Sequence, residues 1–242
     1  MTIKTFSHSG KLGDIIWSLP FIRFLGGGNL YLKINQYDQG SNEIKLTQET
    51  ADSILSLLRC QPYLNDVQIY NGESIDYDLD KFRTKIFQVK TSIAGSFFHA
   101  FDLGHIDFEH ELDIPWLEVE PDLQFKNKIV ISRTSRYLTG NPEVNPFYIF
   151  LRDRNISRHG VFLGTEKEHR KFQELHDISI EWHQTETVLE AARIIAASKF
   201  YVGNENLINA INESLKKTSF LENQKNFASH FCLFNRPDLF II

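Results

Sequence analysis

TIKTFSHSGKLGDIIWSLPFIRFLGGGNLYLKI, residues 2–34, decides how this chain folds. Residues 2–8 have strand composition, the loop from Ser9 to Asp14 follows, and Ile15, Ile16, Leu19, Ile22 and Leu25 then recur at helical spacing. Gly26, Gly27 and Gly28 stop that helix, and residues 29–34 (NLYLKI) return to an extended, apolar pattern. A strand, a helix and a second strand in this order predict two parallel neighbours, because a parallel pair needs a crossover and a helix is its usual form.

The same alternation extends in both directions. Thr47 is placed to cap a helix over 48–59, and residues 67–70 (VQIY) predict a third strand. From 72 to 122 the pattern weakens into the acidic stretches ESIDYDLD and HIDFEHELDIPWLEVEPD, with Pro115 and Pro121 near the end. It then resumes with strands over 128–132, 160–164 and 178–182 and helices over 146–153 and 166–175. A helix over 187–198, a strand over 200–203, a helix over 206–216 and short strands near 218–221 and 230–233 complete it. These patterns predict an α/β protein of two Rossmann-like lobes, residues 1–122 and 123–242, joined by the proline-bearing acidic segment.

Composition narrows the class. The chain has 242 residues, 42% hydrophobic and 24% charged, enough to bury two compact cores. A formal net charge of −5 gives no broad positive field, so nucleic acid is not expected as a partner. Cys60 and Cys232 form no CxxC pair, which suggests neither a zinc site nor a disulfide framework and favours a reducing, cytoplasmic setting. No apolar run approaches the roughly 20 residues of a transmembrane helix, and the N-terminus opens on a strand rather than a leader.

Four strand-to-helix junctions carry candidate chemistry. In the first, His8-Ser9-Gly10-Lys11-Leu12-Gly13-Asp14, the glycines Gly10 and Gly13 let backbone approach a ligand, Lys11 adds charge, and Asp14 stands at the mouth of the sheet. The spacing fits neither a Walker A loop nor G-x-G-x-x-G, and a tight turn with Asp14 as a helix cap is the plainer alternative. In the second, Ser132, Arg133 and Arg136 follow a strand, where two arginines grip phosphate oxygens or else lie in a solvated loop. The third, Gly164-Thr165, opens a helix that Thr165 is suited to cap. On that helix His169 and His176 share a face, read as a surface pair with no metal. In the fourth, Gly203-Asn204-Glu205-Asn206, free helix N–H groups meet a diphosphate, or Asn204 or Asn206 merely caps the helix.

Taken in order, SGKLGDIIWSLPFIRFL, ISRTSRY, FLGTEKEH and TVLEAARIIAASKFYVGNENLINAINESLKK resemble successive elements of the family 9, heptosyltransferase-like glycosyltransferases of the GT-B fold. Gly13-Asp14 and Leu19-Pro20 in the first of these are the most specific match. The resemblance implies two Rossmann-like lobes with an interlobe cleft and a metal-independent transfer of sugar from a nucleotide-diphosphate sugar to a glycan or lipid-linked acceptor. That donor is a substrate, and no separate cofactor is implied. It also implies a catalytic base at Asp14 and donor contacts at Arg133, Arg136 and the residues after Gly203. Where the family commonly has Asp-Ser/Thr-Gly-x-x-His, this chain has Asn204-Glu205-Asn206-Leu207-Ile208-Asn209. That departure keeps open an alternative, a non-catalytic nucleotide-sugar-binding or interaction protein on the same fold.

Overall fold

A computed structural model of the protein describes residues 2–37, 43–86, 88–89, 91–134, 146–153, 156–222, 234 and 236–242. It divides into two compact units, Met1–Glu118 with Thr187–Leu189, and Val119–Glu186 with Glu190–Ile242.

The first unit holds strand β1 (Thr5–His8), helix α1 (Leu12–Phe24), β2 (Gly28–Leu32), α2 (Gln48–Arg59), β3 (Leu64–Ile69) and β4 (Tyr77–Asp78). A 3-10 turn over Leu79–Thr84, helix α3 (Ile93–Ala100) and the short α4 (Glu109–Asp113) follow. The strands form one parallel sheet in the order β3-β2-β1-β4. Residues 72–122, which show little periodicity, therefore supply an edge strand and two helices. Strand β4 is too short to show alternation.

Helix α1 is the spine of this unit. Every residue from Ile15 to Ile22 is buried, more than one amphipathic stripe provides, because the helix is covered both by the sheet side and by α3. Phe21 meets Phe98 edge-on at 5.4 Å and stacks on Phe101 at 5.0 Å, and Phe24 meets Phe98 at 5.3 Å. Such aromatic pairs add about 0.5–1.5 kcal/mol each beyond their buried area. The helix begins at Leu12, so Gly13 and Asp14, expected in the loop, lie in its first turn. Gly27 has φ +80°, and a Cβ there would lie 2.1 Å from the Tyr63 carbonyl, so the glycine run lets the chain pass close to the approach to β3 as well as ending the helix.

The second unit runs β5 (Ile129–Ser132), α5 (Pro146–Asp153), β6 (Gly160–Phe162), α6 (Glu166–His176) and β7 (Glu181–Trp182). It continues through α7 (Val188–Ala197), β8 (Tyr201–Gly203), α8 (Leu207–Ser214), β9 (Ser219–Leu221) and β10 (Leu239–Ile241). All strands are parallel, in the order β10-β9-β8-β5-β6-β7. Renumbered from β5, this is the doubly wound order 3-2-1-4-5-6. Ile129, Ile131, Phe147, Leu151, Phe162, Phe172 and Val202 form its core. Val130 is also fully buried, as strands covered on both faces require.

The strand expected over 178–182 is confined to Glu181–Trp182. The one expected near 230–233 lies outside the described residues. Strand β10 was not foreseen; Arg236 ties its approach to α8, donating from Nε to Glu213 Oε2 (2.9 Å) and from Nη2 to the Lys217 carbonyl (2.7 Å). No helix among the described residues is long and apolar enough to cross a membrane.

Candidate functional site

In an open parallel sheet, strands leave in opposite directions where the order reverses, and the carboxyl ends there open a crevice that ligands use. The first sheet reverses between β1 and β4, and the second between β5 and β8. Each reversal carries a polar cluster.

At the first reversal, β1 ends in His8 and runs into Ser9 and Gly10 before α1. Thr5, Ser7 and Ser9 alternate along this segment, and Asp76, Asp78 and Asp80 alternate along β4 and its exit. Each hydroxyl donates to the carboxylate 71 positions later: Thr5 to Asp76 at 3.0 Å, Ser7 to Asp78 at 3.4 Å, Ser9 to Asp80 at 2.7 Å. The Ser9 N–H also donates to both Asp80 oxygens, at 3.2 and 3.1 Å, so Asp80 fixes the start of the loop.

Burial pushes the Asp80 carboxyl up, but its contacts with His8, Ser9 and Arg83 outweigh that and hold it well below the usual carboxylate range. His8 Nδ1 lies 2.9 Å from the Gly10 N–H and 3.2 Å from Asp80 Oδ1. One ring nitrogen cannot accept the first and donate to the second. The ring's other nitrogen, Nε2, is buried without a hydrogen-bond partner among the described residues. The imidazole is fully buried, with the Phe82 and Phe97 rings each 5.9 Å away.

Asp14 stands beside this cluster in the first turn of α1. Its Oδ2 accepts from the Lys11 N–H at 3.3 Å, the return bond of a capping box in which Lys11, not Asp14 as the alternative reading had it, is the N-cap. The same oxygen accepts from both Nη atoms of Arg83, each at 3.4 Å. Arg83 also lies 3.7 Å from Asp80 and rests its guanidinium on the Phe82 ring, 4.6 Å from the centroid. Gly10 makes this crowding feasible: a Cβ there would lie 2.5 Å from His8, 2.8 Å from Arg83 and 2.9 Å from Asp14. A Cβ on Gly13 would meet nothing within 4 Å, so packing gives no reason for a glycine inside the helix. Lys11 points its ammonium to Glu43, 3.2 Å away. Asp80 and Arg83 escaped the sequence reading, although the D-x-D-x-D spacing of 76, 78 and 80 matches T-x-S-x-S at 5, 7 and 9.

At the second reversal, Asn204 is fully buried and mimics a strand neighbour for Thr134, accepting from its N–H at 3.0 Å and donating to its carbonyl at 2.9 Å. Asn206, not Asn204, caps α8: its Oδ1 accepts from the Asn209 N–H at 3.0 Å, and its Nδ2 donates to Ser132 Oγ at 3.1 Å. Gly203 is needed at this crossing, since a Cβ would lie 2.0 Å from the Ser132 carbonyl. Ser132, Gly203, Asn204 and Asn206 thus come together. Gly164 and Thr165 stand at the end of the neighbouring β6, where Thr165 caps α6 by accepting from the Glu168 N–H at 3.2 Å.

Arg133 is not the exposed phosphate-gripping residue anticipated. Its Nε and Nη2 donate to the two carboxylate oxygens of Glu222 at 2.6 and 2.7 Å, and the side chains are 4% and 2% exposed. Its Nη1 lies 3.1 Å from His176 Nε2, and its guanidinium packs on Phe147. Arg136 lies outside the described residues. His169 and His176 are buried rather than a surface pair; His169 Nε2 reaches the Ile180 carbonyl at 2.8 Å. Burial and the Arg133 charge lower His176 to about 4. No group of three or more His, Cys, Asp or Glu among the described residues could hold a metal ion.

Two parallel sheets, each with a polar cluster at its reversal, place the protein among the open-sheet α/β folds. Within that class the fold is the GT-B fold of solved family 9 glycosyltransferases. The glycosyltransferase of family 9 from Veillonella parvula DSM 2008 matches all of this chain and 87% of its own, with TM-score 0.63 and 9% identity. The E. coli heptosyltransferase WaaC with ADP matches with TM-score 0.59 and 10% identity over 98% of this chain and 92% of that one. The E. coli ADP-heptose lps heptosyltransferase II matches with TM-score 0.55 and 12% identity over 100% and 90%. At such identities the likeness is one of fold. No protein-family model and no curated protein sequence matches the chain.

Proposed function

We propose that this protein is a glycosyltransferase that moves a sugar from a nucleotide-diphosphate sugar to a hydroxyl of a glycan or lipid-linked acceptor. The observation that carries the reading is the state of the Asp14 carboxylate. Every hydrogen bond to it converges on Oδ2, leaving Oδ1 without a partner among the described residues, and the side chain is 23% exposed. A cap needs one oxygen; a general base needs a second that faces substrate.

In this reading the acceptor hydroxyl gives its proton to Asp14 Oδ1 as its oxygen attacks the anomeric carbon, and the bond from that carbon to the diphosphate oxygen breaks. The donor nucleotide is assigned to the β5/β8 reversal, beside Ser132, Asn206 and the N-terminus of α8, where the helix dipole favours the departing negative charge. The open space at Gly13 admits the acceptor to the α1 N-terminus.

A thermal-shift screen of nucleotides and nucleotide sugars, followed by turnover of the best donor, tests this. A ligand at 100 times its Kd stabilises the fold by about 2.7 kcal/mol. Asp14→Asn is expected to fold within about 1 kcal/mol of the parent, bind the donor nucleotide equally, and lose transfer by about 10²-fold or more. Retained transfer in that variant would move the base elsewhere. The second reading, a non-catalytic nucleotide-sugar-binding protein, draws on the neutralisation of Arg133 by Glu222 and on the Asn204-Glu205-Asn206 segment; donor binding without turnover in the parent would favour it.

A further inference from the structure

We infer that Arg83 is a positioning residue for transfer: it orients the Asp14 carboxylate so that Oδ1 faces the acceptor hydroxyl. The inference rests on the reading of Asp14 as the base.

The geometry singles out Arg83 from the other groups around Asp14. The Lys11 N–H belongs to the helix backbone and fixes one direction of approach to Oδ2. A single hydrogen bond leaves the carboxylate free to turn about it. The Arg83 fork approaches the same oxygen with both Nη atoms at equal distance, 3.4 Å, and so supplies the second constraint that stops the rotation. Those distances exceed the usual range for charge-assisted bonds, a looseness common before substrate binds.

The guanidinium is itself held on two further sides. Asp80 lies 3.7 Å away, and the Phe82 ring lies beneath it, stacked in turn on Phe97 at 4.5 Å. Asp80 is anchored to the Ser9 N–H and hydroxyl. An unbroken series of contacts therefore runs from the end of β1 through Asp80 and Arg83 to Asp14. Gly10 packs close to both Arg83 and Asp14, where a Cβ would lie 2.8 and 2.9 Å from them. Arg83 and Asp14 are 24% and 23% exposed, so the pair borders solvent and the free oxygen can reach a substrate.

A positioning role separates from a purely structural one in kinetics. Arg83→Ala, Arg83→Lys and Arg83→Ala combined with Asp14→Asn are compared with the parent and with Asp14→Asn, using the best donor from the screen. Arg83→Ala is expected to lower kcat by about 10- to 100-fold, as a misdirected base does, with KM for the donor within about threefold. Arg83→Lys, which keeps the charge and most of the stem but not the fork, is expected to recover part of the loss and guards against a misfolded alanine variant. In the Asp14→Asn background, removing Arg83 is expected to cost less than about threefold more, because a residue that acts through Asp14 has nothing left to act on. If Asp14→Asn is inactive while Arg83→Ala and Arg83→Lys keep the parental kcat, or if the two losses multiply, the inference falls and the reading of Asp14 stands. If the parent transfers from no donor, both fall together.

Discussion

Arg133 and Glu222 join the exits of β5 and β9 through two hydrogen bonds of 2.6 and 2.7 Å, both side chains almost wholly out of solvent. A buried pair of this kind is satisfied only while both charges are present. Arg133→Ala should therefore destabilise the protein by about 3–5 kcal/mol, most of it from the stranded Glu222 carboxylate. Urea unfolding measures it; a loss below about 1 kcal/mol, the usual scale for an exposed ion pair, would mean that Arg133 is not internal.

His176 predicts a pH dependence. Its folded value is about 4, against about 6.5 when unfolded, so between those values the unfolded chain binds a proton that the folded chain refuses. Stability contributed by the neutral imidazole is complete above about pH 6.5 and declines as pH falls toward 4, by about 3 kcal/mol in all. Unfolding curves from pH 4 to 7 should lose that part of their slope in His176→Phe. Parallel profiles for parent and variant would refute the assignment.

Gly13 separates folding from function. A Cβ meets nothing there, and alanine is the better helix former by about 0.5–1 kcal/mol, so Gly13→Ala should melt at or above the parental temperature. If the space serves the acceptor, the same variant should raise KM for acceptor or lower transfer. Full activity together with greater stability would remove Gly13 from the site.

Gly203 should behave in the opposite way. Its Cβ would press on the Ser132 carbonyl, a backbone atom at the centre of the sheet, so Gly203→Ala should cost about 1–3 kcal/mol or more. Thermal melting decides it, and a neutral result would show that β5 and β8 part more easily than their contacts imply.

What the sequence reveals and what it conceals divide along physical lines. Apolar runs and capped helices announce themselves: β1, α1, α2, β5, β6, α6, β8 and β9 lie close to where apolar pattern and the caps Thr47 and Thr165 place them. Strands β4 and β10, two and three residues long, are set by pairing partners far away in the chain. Asp14 could be singled out because it follows a strand and opens a helix. Arg83 could not, since it lies 69 positions from the carboxylate it holds. Arg133 looked exposed for the same reason: its partner is 89 positions away, and nothing local marks a buried cation.

The rungs between Thr5, Ser7, Ser9 and Asp76, Asp78, Asp80 act as a vernier. Because they recur at every second residue, sliding β4 by two positions along β1 would re-form two of the three hydroxyl-carboxylate pairs while carrying the following turn about 6.6 Å along the strand, far enough to part Arg83 from Asp14. Ile3 and Lys11, which flank the hydroxyl series, offer no hydroxyl to complete either shifted set. The Ser9 N–H bonds to Asp80 exist only in the native register. A hydroxyl at position 3 or 11 would blur that scale, so the residues that end the series choose the alignment as much as those within it.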